Sequence, residues 1–103
     1  MKNSIIRILK NYFSTQPIQR AWLFGSVSRG EDGPNSDVDI LVEFAPNGQV
    51  SLFKHASMMT DLENILKRSV DLVSTGSHIF PWVKENIDNE KILIYERETT
   101  RIY

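Results

Sequence analysis

Eight residues, DVDILVEF at positions 37–44, limit what this chain can become more than any other stretch. Val38, Ile40, Val42 and Phe44 alternate with Asp37, Asp39, Leu41 and Glu43, and a period of two is the pattern of a β-strand with one face against a core. Aspartate is among the residues strands avoid, so two of them at the head of the best strand require a purpose. Side chains at i and i+2 point the same way, about 6 to 7 Å apart. Two carboxylates so placed repel each other, and one takes up a proton unless a compensating charge arrives. A divalent cation is such a charge: Mg²⁺ takes one or two protein carboxylates and completes its shell with phosphate oxygens and water. Taken alone, the pair fits a solvated strand start as well as a metal site. An EF-hand loop does not fit, because the residues after Asp39 are apolar and the required glycine is missing.

The remaining pattern supplies partners for that strand. Ile5, Ile8, Leu9, Tyr12 and Phe13 recur at helical spacing and predict an amphipathic helix that ends near Pro17. RAWLF (20–24) reads as a strand stopped by a glycine, SVSRG as one short helical turn, and EDGPNS as an exposed loop. After the turn APNG, Ser51 is placed to cap a helix with Leu52, His55, Met59, Leu62 and Leu66 on one face. SVDLVS (69–74) reads as a strand, Pro81 to about Glu90 as a helix, and KILIYE (91–96) as a last strand before a polar tail or partner-binding end. That order predicts an α/β or α+β layer fold, a four-stranded sheet with helices packed on it. With 103 residues and 41% hydrophobic content, one domain over residues 1–103 with a single core is expected.

Charge and composition exclude several classes. Twelve basic and 13 acidic residues leave a net charge of −1, which speaks against holding nucleic acid by bulk electrostatics. The absence of cysteine removes disulfides, thiolate metal sites and cysteine nucleophiles. The start MKNSIIRILKNYF is interrupted by Arg7, Lys10 and Asn11 and is not expected to act as a signal peptide, and no stretch approaches the roughly 20 apolar residues of a membrane span. A cytoplasmic protein is expected.

Upstream of the aspartates, Gly25 allows a sharp turn and close approach by a ligand. If Ser26 opens a helical turn, its hydroxyl joins free backbone N–H groups in an anion site, and Arg29, about one turn on, offers a forked donor to phosphate oxygens. An isolated Gly-Ser is a turn and nothing more. Next to paired carboxylates, each feature at the end of a predicted strand, it is half of what a triphosphate with magnesium needs. Asp71 belongs to the same picture: if VDLV lies beside 37–44, a third carboxylate reaches the site. Two metals about 3.5 to 4 Å apart would then clamp the attacking and leaving oxygens of an in-line displacement at phosphorus.

GSVSRGEDGPNSDVDILV followed by VDLV resembles the signature of the DNA polymerase beta-type nucleotidyltransferase superfamily, and specifically its minimal nucleotidyltransferase members. The resemblance covers residues 23 to about 74 and implies the nucleotidyltransferase fold, a mixed four-stranded sheet with about four helices. It implies that Gly25 and Ser26 bind the nucleotide's phosphates, that Asp37 and Asp39 hold both Mg²⁺ ions, and that Asp71 holds one and helps deprotonate the attacking hydroxyl. Arg29 would support the phosphate loop or touch the triphosphate, and Ser36 would fix the loop before the pair. Ser28 stands where relatives often have alanine, a small departure. Larger relatives carry extra domains for their acceptors; none is expected here, so the acceptor or a partner must supply that surface. Minimal members resemble the antitoxin half of toxin–antitoxin modules paired with a HEPN-domain ribonuclease. The implied reaction moves AMP from ATP to tyrosine hydroxyls of that toxin. The alternatives are a non-catalytic antitoxin that acts by binding, and transfer to a small molecule or an RNA end.

The other chemistry-bearing residues read as structure. His55 is expected at a packing boundary, His78 on the surface, Trp22 and Trp82 in the core or at its edge, and Met58 and Met59 in helix packing. Glu43 reads as solvated or ion-paired. Tyr95 and Tyr103 are open to modification, with nothing local to favour it.

Overall fold

A computed structural model describes residues 2–33, 35–46, 50–75 and 81–98; for residues 81–83 and 86 the backbone alone is described. His78, Tyr103 and the Trp82 side chain lie outside the described part. The elements follow the expected order: α1 (Lys2–Phe13), β1 (Ile18–Phe24), α2 (Gly25–Arg29), β2 (Val38–Phe44), α3 (Leu52–Leu66), β3 (Val70–Ser74), α4 (Pro81–Glu90) and β4 (Ile92–Glu96). The strands form one mixed sheet in the order β3-β2-β1-β4. β1 pairs antiparallel with β2 and with β4, and β2 pairs parallel with β3. A parallel neighbour cannot be reached by a hairpin, and α3 is the crossover that makes the β2–β3 pairing possible.

One face of the sheet is apolar and dry. Ile5, Leu9 and Phe13 of α1, spaced four apart, pack with Met58 and Leu62 of α3 over Ala21, Leu23, Ile40, Val42, Leu72 and Ile94. Full burial of a side chain of this kind contributes about 1.5 to 3 kcal/mol relative to leaving it exposed. Ser51 caps α3 as expected, its hydroxyl accepting a hydrogen bond from the Lys54 backbone N–H at 3.1 Å. His55 is at the boundary, with Nε2 2.9 Å from the Leu72 carbonyl oxygen and its ring edge-on to Phe44. Tyr95 is half-buried against Phe13.

Two local expectations need correction. On α3 the buried ridge centres on Met58 and Leu62, and Leu52 is 85% exposed. At about 100° per residue, Leu52 lies about 80° around the helix from Leu62, and the sheet does not reach that far. β1 begins at Ile18, two residues before the predicted start. The register shifts between Ile18 and Arg20, and a bulge breaks the alternation that would reveal the strand.

The second face is built of charged and apolar rows, because residues paired across strands share a face. Arg20 stands beside Glu43 and Glu96, Trp22 beside Leu41 and Leu93, and Phe24 beside Asp39, whose own partner on β3 is Asp71. Arg20 donates to Glu43 at 2.8 Å and to Glu96 at 2.6 Å, so Glu43 is ion-paired. Trp22 is half-buried, with Lys91 Nζ 5.1 Å from its ring centroid. Among the described residues, no helix is long and apolar enough to cross a membrane.

Candidate functional site

The row of carboxylates lies where β1 ends and β2 begins. Asp39 is the direct cross-strand partner of both Phe24 and Asp71, and Asp37 precedes it by two residues on the same strand entry. The chain then has to turn at Gly25, which has φ 73°, a left-handed value that glycine adopts without penalty. A second constraint acts on the same residue. A Cβ built on Gly25 would collide with Asp39 Oδ2 and stand 2.9 Å from its Cγ. Gly25 is therefore the only residue type that leaves space for the Asp39 carboxylate, and the Gly-Ser turn and the aspartates form one unit.

The electrostatics of Asp39 follow from this placement. Asp39 is half-buried, while Asp37 and Asp71 are exposed. The Asp39 carboxyl is pushed up to about 6, first by burial and then by the like charges of Asp71 and Asp37, with Arg29 acting in the opposite direction and Glu90 adding to the repulsion. Among the described residues, no three His, Cys, Asp or Glu side chains stand as a preassembled metal site. Asp39 and Asp71 are paired across β2 and β3, and Asp37 is near enough for its charge to act on Asp39, an open row of like charges and not a closed cage. Its donors are hard oxygens suited to Mg²⁺, which completes its shell with phosphate and water, and a cation here would offset both the burial and the like charge that lift Asp39.

Around the row, each element is tied down. The Ser28 hydroxyl, where alanine would have none, is buried and donates to the Gly25 carbonyl at 2.8 Å. Lys2 of α1 donates to the Ser28 carbonyl at 3.0 Å. Gly30 ends α2 with φ 72°, and its N–H returns to the Val27 carbonyl at 3.1 Å. Arg29 is exposed and bridges Glu31 at 3.1 Å and Glu90 of α4 at 2.8 Å. Glu90 carried no signal in the sequence, since an acid near a helix end is ordinarily solvated. Ser26 is the second residue of α2 and half-buried. The Ser36 hydroxyl is turned into its own loop, where it accepts from the Gly33 N–H at 2.9 Å.

Sequence reasoning missed the most buried charges nearby. Arg68 and Asp32 form an ion pair at 3.0 Å with side chains 9% and 8% exposed. Arg68 also donates to the Gly33 carbonyl at 3.1 Å and to the Ser36 carbonyl at 2.8 Å and 3.1 Å. At the entry to β3, Glu63 of α3 accepts from the Val70 N–H at 3.1 Å. In the sequence, Arg68 follows Lys67 in a polar helix end and Asp32 sits among turn formers, so neither differs from a solvated charge.

The profile of a family described as "Polymerase beta, Nucleotidyltransferase" matches residues 3–100. The chain belongs to that family. Its resemblance to the minimal members stands with the same comparisons. A protein of Methanocaldococcus jannaschii named "Putative protein adenylyltransferase MJ1379" is 38% identical over 88 residues, 85% of each chain. A solved structure described as a "putative minimal nucleotidyltransferase" superposes with a TM-score of 0.69 at 32% identity, covering 87% of this chain and 89% of that one. A toxin–antitoxin crystal structure with AMP-PNP gives a TM-score of 0.70 at 25% identity, covering 94% of this chain and 74% of its own. The mixed sheet with four helices is the nucleotidyltransferase fold.

Proposed function

We propose that this nucleotidyltransferase transfers AMP from ATP to a tyrosine hydroxyl of a HEPN-type toxin, with magnesium as cofactor, and so acts as a protein adenylyltransferase antitoxin in the cytoplasm. The observation that carries the proposal is the placement of Asp39 against Gly25 on one side and beside Asp71 on the other. It sets a glycine turn, suited to close approach of a phosphate, within reach of a negative row suited to cations. The kinship with a named adenylyltransferase and with an antitoxin fold crystallised with an ATP analogue supports the substrate and partner.

In this proposal Asp37, Asp39 and Asp71 hold magnesium, which supplies charge neutralisation at the triphosphate and lowers the cost of expelling pyrophosphate. Gly25 and Ser26 receive the phosphates, and Arg29 faces them once it leaves Glu31 or Glu90. The acceptor oxygen attacks the α-phosphorus, the new oxygen–phosphorus bond forms as the bond to the bridging oxygen breaks, and Asp71 accepts the hydroxyl proton. Little further side-chain chemistry is needed, because positioning and electrostatic stabilisation carry such a displacement. Ser36 acts through its loop.

The test is transfer of label from α-labelled ATP, with magnesium, to a cognate toxin. Wild type is expected to label the toxin, and an Asp37→Ala, Asp39→Ala double variant is expected to lose at least about 10²-fold in rate. Equal labelling by the two proteins overturns the proposal. If the double variant still suppresses the toxin in cells while labelling is lost, occlusion by binding is the antitoxin's mechanism.

A further inference from the structure

We infer that Arg68 is a positioning residue for Asp37, and that the two-residue connector Arg68–Ser69 fixes Asp37 in register with Asp71. The inference rests on the functional reading above, which makes those carboxylates the working groups. The chain on both sides of Asp37 is bonded to this connector. Before it, the Ser36 carbonyl accepts two hydrogen bonds from the Arg68 guanidinium, at 2.8 Å and 3.1 Å. After it, the Val38 N–H donates to the Ser69 carbonyl at 2.9 Å. The Ser36 carbonyl and the Asp37 nitrogen belong to one planar peptide unit, so holding that oxygen sets the direction in which Asp37 leaves the loop. Two residues beyond Ser69 comes Asp71, and the pairing Val38↔Val70 continues directly into Asp39↔Asp71. Asp37 is therefore placed relative to the same segment that delivers the third carboxylate.

The guanidinium suits this task in a way that a lysine would not. It is planar and offers a fixed fork of five donors, of which it spends four bonds on Asp32, Gly33 and Ser36. A buried ion pair is weak evidence of stability and is best attested as a device for fixing a register. Here the burial of both partners, 9% and 8% exposed, keeps the loop carbonyls from exchanging these bonds for water. The preceding residue contributes as well. Lys67 has φ 57°, the one positive value among the described non-glycine residues, and its N–H closes α3 on the Glu63 carbonyl. That left-handed residue turns the chain from the end of α3 toward the loop, where Arg68 is bound.

The experiment compares wild type with Arg68→Gln, Arg68→Lys and Asp32→Asn by three readouts: amide hydrogen exchange, Mn²⁺ binding followed by paramagnetic broadening, and AMP transfer. In Arg68→Gln, faster exchange is expected at the Val38 amide, which is bonded to the Ser69 carbonyl, while the amides that pair β1 with β4 stay protected. Mn²⁺ affinity and turnover are expected to fall about 10- to 100-fold, the range seen when an outer support of a metal ligand is removed. Arg68→Lys recovers part of the loss, and Asp32→Asn, which leaves the carbonyl bonds in place, loses less than either. Unchanged exchange at Val38 with unchanged Mn²⁺ affinity in a folded Arg68→Gln protein overturns the inference. Should Arg68→Gln fail to fold, Arg68→Lys and Asp32→Asn decide by the same local pattern. If wild type neither binds Mn²⁺ nor transfers AMP, the functional reading fails, and the exchange measurement alone still decides whether Arg68 holds the segment.

Discussion

The two faces of the sheet solve opposite problems. Against α1 and α3, the buried face gains from every atom removed from water, and nothing on it opposes burial: Leu9, Phe13, Leu23, Ile40, Met58 and Leu62 are fully enclosed. Across the same strands, the other face holds Asp39 half-buried beside Asp71 and Asp37, where burial and like charge both work against the ionised form. The first arrangement stabilises the fold, and the second costs stability. A strand such as β2 can carry both because its alternation sends Ile40 to one side and Asp39 to the other. The lesson is that the apolar face supplies the surplus on which a destabilised acidic row can be kept.

That contrast can be broken most sharply from the covered side. Leu9→Ala is expected to destabilise the protein by about 2 to 5 kcal/mol, measured by denaturant unfolding, while the turnover of the molecules that remain folded is unchanged. A parallel loss of Mn²⁺ affinity at temperatures where the protein is folded would show that the two faces are not separable. A smaller effect of opposite sign is expected on the acidic face. The folded pKa of Asp39, about 6, lies above the ordinary value of 3.8. Between these values the folded state keeps a proton that the unfolded state has released, so stability falls as pH rises through the window. Asp39→Asn removes that penalty. It should raise the melting temperature at pH 7.5, show little gain below about pH 4 where both states are protonated, and abolish transfer. Magnesium should raise the melting temperature of wild type and leave this variant nearly unmoved. The smallest effect belongs to Lys67, the residue before the connector. Lys67→Gly relieves a left-handed backbone and should gain about 0.5 to 1 kcal/mol without altering Mn²⁺ affinity, since the backbone bond to Glu63 is retained.

Much of this was legible in the sequence, for reasons that differ by residue. Asp37 and Asp39 stand out because aspartate inside an apolar strand contradicts local preference. Gly25 could be read as a turn, whereas its second role, leaving space for the Asp39 carboxylate, depends on a partner 14 positions away in the chain. The early start of β1 was hidden by the bulge between Ile18 and Arg20, which defeats any periodicity argument. The face of α3 is legible at His55, Met59, Leu62 and Leu66, and only Leu52 departs from it, since periodicity does not say how far along the first turn the sheet reaches. Arg68 and Asp32 were invisible, since a buried ion pair is written with the same letters as two solvated charges.

The parallel pairing of β2 with β3 has a consequence for how the protein matures. Asp39 and Asp71 become neighbours only after the crossover through α3 has docked, whereas β1 and β2 can zip together as a local antiparallel ribbon. Long-range parallel contacts form late, because loop closure precedes their reward. A chain with only the β1–β2 ribbon formed therefore has the glycine turn without its third acid, and competence for chemistry waits on the closure through α3.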